Sequence, residues 1–160
     1  MVLRHVRPGD EDLLLQIFSD PTVSRWWGDP DKSVADTMDA EEGDDHYLIE
    51  VDGEVVGMIQ SYQETDEMYR HAGIDISIRE LWQGKGLGPE AIRLLAHHLI
   101  DDLGHHRLVI DPAAHNANAI RAYERVGFRP VGIMRSYERA ADGTWHDGLL
   151  MEMLADELTD

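Results

Sequence analysis

The most distinctive run of residues that could bind a ligand is a glycine-rich segment near the middle of the chain, Gln83-Gly84-Lys85-Gly86-Leu87-Gly88. It lies between a predicted strand and a predicted helix. Glycines allow the backbone to turn its N–H groups towards an anion, and the start of the helix adds its positive end. The segment therefore predicts a phosphate or pyrophosphate site, with a ligand-free tight turn as the alternative. It matches neither the P-loop nor the G-x-G-x-x-G spacing.

A second candidate for chemistry is an aspartate on an alternating strand, Ala72–Arg79. Alternation places three isoleucines on one face and Asp75 with Ser77 on the other. If the isoleucine face packs on a core, Asp75 points into the space beyond the opposite face. A carboxylate there could orient an ammonium group or accept its proton, although an ordinary aspartate with a pKa of about 3.9 is a weak base. A structural salt bridge is the alternative role.

The elements that must position these residues follow from apolar spacing and turn signals. The strongest turn signal is Asp52-Gly53, which predicts a hairpin between the two strands that flank it. Their order, β-α-α-β-β-β-α-β-α-β-β, predicts an α/β (mixed α+β) fold with a central mixed sheet of about seven strands and helices on both faces. Without a repeat or linker, we expect a single domain over residues 1–160. The predicted elements are a strand at Val2–Arg7, a helix capped by Asp10 and stopped by Pro21, a loop or short turn at Ser24–Gly28, a helix at Ser33–Glu42, strands at His46–Val51, Glu54–Gln63 and Ala72–Arg79, a helix at Gly88–Leu103, a strand at Arg107–Asp111, a helix from Asn116 to Arg125, and strands at Arg129–Arg139 and His146–Leu154.

Composition excludes several classes of function. The 160 residues contain no cysteine, which excludes disulfides, zinc–thiolate sites and a cysteine nucleophile. No apolar run approaches the ~20 residues of a membrane span, and the N-terminus lacks the apolar core of a signal peptide, so we expect no membrane partner and a cytoplasmic location. The formal net charge of −18 argues against nucleic acid as a partner.

The acidic charge is concentrated in the first half of the chain. Residues 1–80 carry 20 acidic and 6 basic side chains, and residues 81–160 carry 12 and 8. Between Asp29 and Glu54 there are eleven acidic residues and one lysine. This distribution suits a cationic partner, but a bias in composition, with only two lysines in the chain, is an equally good explanation.

The glycine-rich segment and a second motif together resemble a known family. Gln83-x-x-Gly86-x-Gly88 is followed by Asn116-Ala-Asn-Ala-Ile-Arg-Ala-Tyr123 and then by Gly127-Phe128. This combination resembles the acetyl-CoA-binding core of the GNAT superfamily of N-acetyltransferases, and the resemblance in element order covers nearly the whole chain.

Within that superfamily the sequence most resembles aminoglycoside 6'-N-acetyltransferases. The segments that carry this likeness are Trp26-Trp27-Gly28, Gly57–Tyr62, Gly73-Ile74-Asp75, Gln83–Gly88 and Asp111-Pro112. The sequence departs from the family in one place, because the stretch between Tyr62 and Gly73 is short.

The resemblance implies that acetyl-CoA is the co-substrate and that no metal is required. Asp75 would orient the amine or take its proton, and Tyr123 would protonate the departing sulfur. On sequence alone Tyr123 is equally well a core tyrosine, and Asn116 could be only a helix cap. The residues implied to contact the cofactor are Ile76, Ser77, Ile78, Gln83, Gly84, Lys85, Gly86, Leu87, Gly88, Asn116 and Tyr123.

The implied acceptor site combines aromatic faces with carboxylates. Trp26 and Trp27 offer flat apolar surfaces and attract cations, although core anchoring would also explain them. Asp142 is equally well a turn residue beside Gly143. The candidate acceptor-binding residues are Trp26, Trp27, Gln60, Tyr62, Asp75, Asp111 and Asp142.

We therefore expect an acetyl-CoA-dependent N-acetyltransferase that acts on a cationic small-molecule amine, with the 6'-amine of an aminoglycoside as the leading acceptor. The alternatives are acylation of a protein N-terminus, a siderophore lysine or another polyamine, and a non-catalytic regulatory domain that binds coenzyme A. The paired histidines at His97-His98 and His105-His106 lack a metal-binding spacing and are predicted to be solvated. The sequence leaves open whether the chain is a monomer or a homodimer.

Overall fold

Seven strands form one mixed sheet in the computed structural model, which describes residues 1–160. Their order across the sheet is β1-β2-β3-β4-β5-β7-β6, and only β4 and β5 run parallel to each other. The predicted mixed sheet of about seven strands is confirmed. The strands are β1 (Val2–His5), β2 (Asp45–Val51), β3 (Glu54–Glu64), β4 (His71–Ile78), β5 (Arg107–Ile110), β6 (Arg129–Arg139) and β7 (Trp145–Leu154).

Five α-helices accompany the sheet, one more than the sequence predicted. A π-helical turn at His98–Asp102 continues the fourth helix, so the predicted helix at Gly88–Leu103 corresponds to both segments together. None of the helices has the length and hydrophobicity needed to span a bilayer. The helices are α1 (Glu11–Phe18), α2 (Pro21–Trp27), α3 (Pro30–Met38), α4 (Leu87–His97) and α5 (Ala117–Glu124).

Two hydrophobic clusters lie on opposite faces of the sheet. On one face, α4 and α5 pack over a cluster that contains Ile59 and Ile74. On the other face, α1 packs over a smaller cluster that contains Leu48 and Met58. Met58 and Ile59 are neighbours in β3 and belong to different clusters, because successive side chains of a strand point to opposite faces. The prediction of helices on both faces is therefore confirmed.

The hairpin that joins β2 to β3 forms where the Asp52-Gly53 dipeptide predicted it. Asp52 has φ 52° and Gly53 has φ 83°. Two consecutive residues with positive φ are typical of the type I′ turn, whose twist matches that of the two strands.

The sheet opens between its two central strands. β4 and β5 pair only at Ala72 with Leu108 and at Gly73 with Val109, although β4 continues to Ile78. From Asp75 onwards, β4 pairs with β3 on one side and with no strand on the other. This separation leaves a strand edge facing a wedge-shaped opening in the middle of the sheet.

The segment predicted as a loop or short turn at Ser24–Gly28 is instead the last turn of α2, which ends at Trp27 with Gly28 as its C-terminal cap. The prediction treated Pro21 only as the residue that stops the preceding helix, but it is the first residue of α2. Asp20 caps this helix, because its carboxylate accepts a hydrogen bond from the N–H of Thr22 at 3.0 Å. Proline suits a first helical position because its missing N–H would have no partner there.

Three smaller expectations also need correction. Asp10 lies at the start of α1, but its carboxylate bonds to Arg4 and to the N–H of Arg7 rather than capping the helix. The third helix runs over Pro30–Met38, earlier than predicted, because Asp29 caps it through the N–H of Lys32. His105 is buried rather than solvated, and its Nε2 lies 2.8 Å from Gln63 Oε1.

Candidate active site

A cleft of about 1000 Å³ follows the opening between β4 and β5. Its walls come from α2, the second half of β4, the glycine-rich loop, the end of β5, α5 and β6. Most of the predicted cofactor and acceptor residues meet here. Those that line the cleft are Trp26, Trp27, Asp75, Ile76, Ser77, Ile78, Gln83, Gly84, Gly86, Leu87, Gly88, Asp111, Asn116 and Tyr123.

The glycine-rich loop has the backbone geometry of an anion cradle. Gly84 and Gly86 have φ values of 71° and 82°, which residues with a side chain rarely adopt. A Cβ atom at either position, or at Gly88, would meet nothing within 4 Å, so the loop faces open space. Helix α4 begins at Leu87, directly after the loop, and directs its free N–H groups into the same region. These features fit the diphosphate of a coenzyme A molecule.

Two predicted cofactor residues in this loop also make other contacts. Lys85 lies outside the cleft wall, and its Nζ is 4.8 Å from the centre of the Trp82 ring. Gln83 donates through Nε2 to the carbonyl of Ile78 at 2.7 Å and to Thr22 Oγ1 at 2.9 Å. The Gln83 side chain therefore ties the glycine-rich loop to both β4 and α2.

The open edge of β4 provides the second part of a cofactor site. Ile76 and Ile78 pack against the larger hydrophobic cluster with their side chains, as the alternation predicted. The hydroxyl of Ser77 is buried and has no hydrogen-bond partner. Main-chain groups along an unpaired strand edge are free to bond a chain that carries amides, such as the pantetheine arm.

Asp75 lies where this open edge begins, on the face of β4 opposite the isoleucines. Its Oδ2 accepts a hydrogen bond from Gln60 Nε2 at 3.1 Å. Burial, together with the nearby charges of Asp111 and Glu138, raises the pKa of Asp75 to about 6, whereas the Gln60 hydrogen bond lowers it. Asp75 is therefore a much stronger base than an ordinary aspartate and remains largely ionised at neutral pH.

Two further acidic or phenolic groups at this end of the cleft were missed by the sequence prediction. The Tyr137 hydroxyl donates to Asp111 Oδ2 at 2.6 Å. Burial and the charge of Asp111 raise the pKa of Glu138, and Glu138 lines the same cleft. Both residues belong to β6. The alternation of residues along a strand shows which face a side chain is on, but it does not show that β6 passes close to Asp111. The only available signal was their position in a strand of the predicted last hairpin.

Tyr123 faces the cleft from α5 and is nearly fully buried. Burial, with smaller effects from Asp75 and Asp111, raises the pKa of its hydroxyl above the usual range of tyrosine. The hydroxyl therefore carries its proton at neutral pH, as a proton donor must. Its ring also contacts Phe128 edge-on, so the predicted alternatives of core packing and cleft lining both hold. Asn116 likewise lines the cleft and caps α5, accepting from the N–H of Ala119 at 3.2 Å.

The remaining predicted acceptor residues occupy different positions around the cleft. Trp26 and Trp27 both line it, and Trp27 also packs on Phe18 in the smaller cluster. Gln60 contacts the cleft only through its hydrogen bond to Asp75.

Tyr62 and Asp142 complete this set, and neither lines the cleft. Tyr62 lies across Gly73, where a Cβ atom would come within 2.0 Å of the tyrosine ring. Asp142 is fully exposed in the turn between β6 and β7, where its carboxylate accepts from the N–H and the hydroxyl of Thr144. The structure therefore supports the turn role for Asp142 and does not bring it to Asp75.

The fold and the cleft are those of an acyltransferase, and comparison with known proteins gives the family. The sequence model of the acetyltransferase (GNAT) domain matches residues 1–129. The chain therefore belongs to the GNAT family of acetyltransferases. It is an acetyltransferase that uses acetyl-CoA as its co-substrate.

Individual relatives act on two kinds of amine. The chain is 30% identical over 153 residues to the aminoglycoside N(6')-acetyltransferase type 1 of Klebsiella pneumoniae, covering 82% of this chain and 75% of the relative. It is 24% identical over 156 residues to the spermidine N(1)-acetyltransferase of Escherichia coli K12, covering 93% and 83%. The solved structure of AAC(6')-Ib with paromomycin and acetyl-CoA superposes with a TM-score of 0.78 at 26% identity, covering 98% and 94%.

Proposed function

We propose that this chain transfers the acetyl group of acetyl-CoA to a primary amine of a polycationic small molecule, with the 6'-amine of an aminoglycoside as the leading acceptor. The observation that carries the proposal is a group of three carboxylates, from Asp75, Asp111 and Glu138, at one end of the cleft. None of the three takes part in an ion pair. Unpaired carboxylates lining a cleft attract ammonium groups.

The different chemistry of the two ends of the cleft supports this assignment. One end has the glycine-rich loop and the start of α4, which suit an anion, and the other has the three carboxylates and Trp26. The reacting amine would meet the thioester between the two ends, along the open edge of β4. Relatives that acetylate an aminoglycoside and spermidine agree with a cationic acceptor.

The proposed mechanism is direct attack of the amine on the thioester. Asp75 accepts a proton from the ammonium group, directly or through water, so that the nitrogen lone pair can form the new bond to the acetyl carbon. The nitrogen releases its second proton to solvent as the amide forms. The main-chain N–H of Ile78, which lies on the open edge of β4, stabilises the negative oxygen that develops on that carbon. Tyr123 donates its proton to the sulfur as the carbon–sulfur bond breaks. Afterwards Asp75 releases its proton to solvent and Tyr123 takes one up.

We further propose that residues 1–160 act as one acetyltransferase domain in the cytoplasm, where acetyl-CoA is available. The continuous seven-stranded sheet, to which the first and last strands both belong, supports the single domain.

Spermidine or a similar polyamine is the second candidate acceptor, because the three carboxylates suit any molecule with several ammonium groups. An assay of thiol release from acetyl-CoA tests the two candidates, with kanamycin A and spermidine as acceptors. If the 6'-amine is the site, kanamycin A, which has a 6'-amine, should be acetylated. Paromomycin, which has a hydroxyl there, should not.

Other outcomes of the same assay would favour the alternatives. A higher kcat/KM for spermidine than for kanamycin A would replace the aminoglycoside with a polyamine. Turnover only on a peptide with a free N-terminus, or on a siderophore lysine, would favour an acyltransferase of that class. Tight binding of coenzyme A without thiol release on any amine would indicate a regulatory domain.

A further inference from the structure

The hydrogen bond between Tyr137 and Asp111 is the shortest contact at the carboxylate end of the cleft, and the mechanism above does not use it. The phenol hydroxyl donates to Oδ2 at 2.6 Å, in the range of strong bonds to a charged acceptor. It is the only side-chain hydrogen bond that Asp111 accepts, which leaves Oδ1 free. The tyrosine is half-exposed, so the contact lies at the cleft surface and not in the core.

An irregularity in β6 brings the tyrosine to this position. Met134 pairs with Gly148 and Glu138 with His146, so β6 has two more residues than β7 in this interval. Within the bulge, Ser136 has φ 47°, which is unusual for a residue with a side chain. Its N–H donates to Asp147 Oδ1 at 2.8 Å, which holds the bulge in place. Bulges often re-aim a side chain next to an active site.

The opposite strand leaves room for the tyrosine ring. A Cβ atom at Gly148 would lie 2.8 Å from Tyr137 Cδ1, so the ring passes directly over this glycine. The bulge and Gly148 therefore act together to direct the hydroxyl to Asp111. A tyrosine in a regular strand at the exposed edge of the sheet would have no reason to reach that carboxylate.

The Tyr137 hydroxyl counteracts the electrostatic repulsion between Asp111 and the other two carboxylates. Asp111 lies close enough to Asp75 and Glu138 for their charges to interact, and a free aspartate would turn away from them into solvent. A hydrogen bond that fixes one carboxylate oxygen keeps Asp111 in the cleft with the other oxygen available. Preorganisation of this kind saves the free energy of ordering the side chain when a ligand binds.

We propose that Tyr137 is a positioning residue, which holds Asp111 in the cleft so that its free oxygen binds a second ammonium group of the acceptor beside the amine that reacts at Asp75. This inference rests on the proposed function, because it requires an acceptor with more than one positive charge. Tyr137 acts through Asp111 and does not itself exchange a proton with the substrates.

The test compares Tyr137→Phe with the matched control Tyr69→Phe. Tyr69 is exposed in the loop between β3 and β4, and its hydroxyl makes no hydrogen bond. With kanamycin A and spermidine as acceptors, Tyr137→Phe should raise the acceptor KM about fivefold, which is the effect of one side chain that must be ordered on binding. The kcat and the KM for acetyl-CoA should stay within twofold of wild type, and Tyr69→Phe should change nothing.

Two further variants separate positioning from a purely structural role. Gly148→Ala should imitate Tyr137→Phe, because the new methyl group displaces the ring. The double variant of Tyr137→Phe and Asp111→Asn should be no worse than Asp111→Asn alone. The proposal would be overturned if the acceptor KM of the double variant rose by the product of the two single effects. It would also be overturned if Tyr137→Phe impaired kcat and the KM for acetyl-CoA as much as the acceptor KM.

A binding measurement keeps this inference separate from the proposed function. The backbone amide resonances of Asp111 and Ala113 are followed by NMR while 1,4-diaminobutane is added to the protein bound to coenzyme A. Saturation at about fivefold lower concentration in wild type than in Tyr137→Phe would support the proposal even if neither acceptor is acetylated. The absence of a saturable shift in wild type, or equal affinity in the two proteins, would refute it.

Discussion

Replacing Asp75 by asparagine tests the proposed role of this residue most directly. The side chain keeps its shape, and its Oδ1 can still accept the hydrogen bond from Gln60 Nε2 that Asp75 accepts at 3.1 Å. The change removes the base and the negative charge. General base catalysis contributes about 10²- to 10⁴-fold to a rate, so kcat/KM for the best acceptor should fall by about that factor.

The pH dependence of the wild-type enzyme follows from the same residue. With a pKa of about 6, Asp75 is mostly ionised at pH 7.5. Between pH 8 and 5, kcat/KM should therefore fall with a midpoint near 6, because the protonated carboxyl cannot accept the proton of the amine. Asp111→Asn removes a neighbouring negative charge, which should move the midpoint to lower pH. Thiol release from acetyl-CoA, measured at pH steps from 5 to 9, gives both profiles.

The Asp75→Asn substitution should also stabilise the folded protein. A folded-state pKa raised from 3.8 to about 6 means that the native protein holds this proton more tightly than the unfolded chain. The resulting stability is fully present below pH 3.8 and is lost as the pH rises through 6. At pH 7.5 the ionised Asp75 thus destabilises the fold by up to about 3 kcal/mol, which Asp75→Asn should recover as a higher midpoint in urea.

A matched control is Asp156→Asn, which makes the same change in charge at an exposed residue. It should leave both kcat/KM and stability almost unchanged. The reasoning is refuted if Asp75→Asn retains kcat/KM within a few-fold of wild type. It is also refuted if the stability difference between Asp75→Asn and wild type does not grow between pH 4 and pH 7.

Three other predictions concern the two ends of the cleft. Tyr123→Phe should lower kcat by about 100-fold without changing the KM for acetyl-CoA, since only the proton donor is lost; a kcat within twofold of wild type would contradict this. Gly86→Ala should raise the KM for acetyl-CoA, because the new methyl group enters the space proposed for the diphosphate. It should also lower the free energy of unfolding by about 1 kcal/mol, because the methyl group meets no other atom of the protein and only the positive φ is strained. Calorimetric binding of coenzyme A and urea unfolding would measure the two effects. Raising the salt concentration from about 50 to 500 mM should increase the KM of a polycationic acceptor several-fold; an unchanged value would indicate that the acidic charge is only a feature of composition.

The sequence predicted best those features that depend on neighbouring residues. The turn at Asp52-Gly53 and the face of β4 that carries Asp75 both follow from local patterns. The helix at Pro21 was also encoded locally, because an aspartate followed by proline is a helix start, but the prediction treated the proline as a stop signal. The error came from choosing one of two meanings of the same residue.

The electrostatics of the site could not be predicted in this way. Asp75 and Glu138 lie on β4 and β6, Asp111 directly follows β5, and the three come together only when the sheet forms. The bulge that directs Tyr137 depends on Ser136, a residue type that gives no warning of a left-handed conformation. Both features arise from contacts between distant parts of the chain.

The opening in the sheet has a consequence for the mechanics of the whole molecule. Strands β1 to β4 and strands β5 to β7 form two half-sheets whose ladders join at only two residue pairs, Ala72 with Leu108 and Gly73 with Val109. Two plates joined along so short a seam can pivot about it, and a ligand that lies in the gap touches both. Coenzyme A would then act as a brace as well as a reactant. Amide hydrogen exchange at Leu108 and Val109, which pair with β4 and do not line the cleft, should slow when the cofactor binds, since a braced seam opens less often.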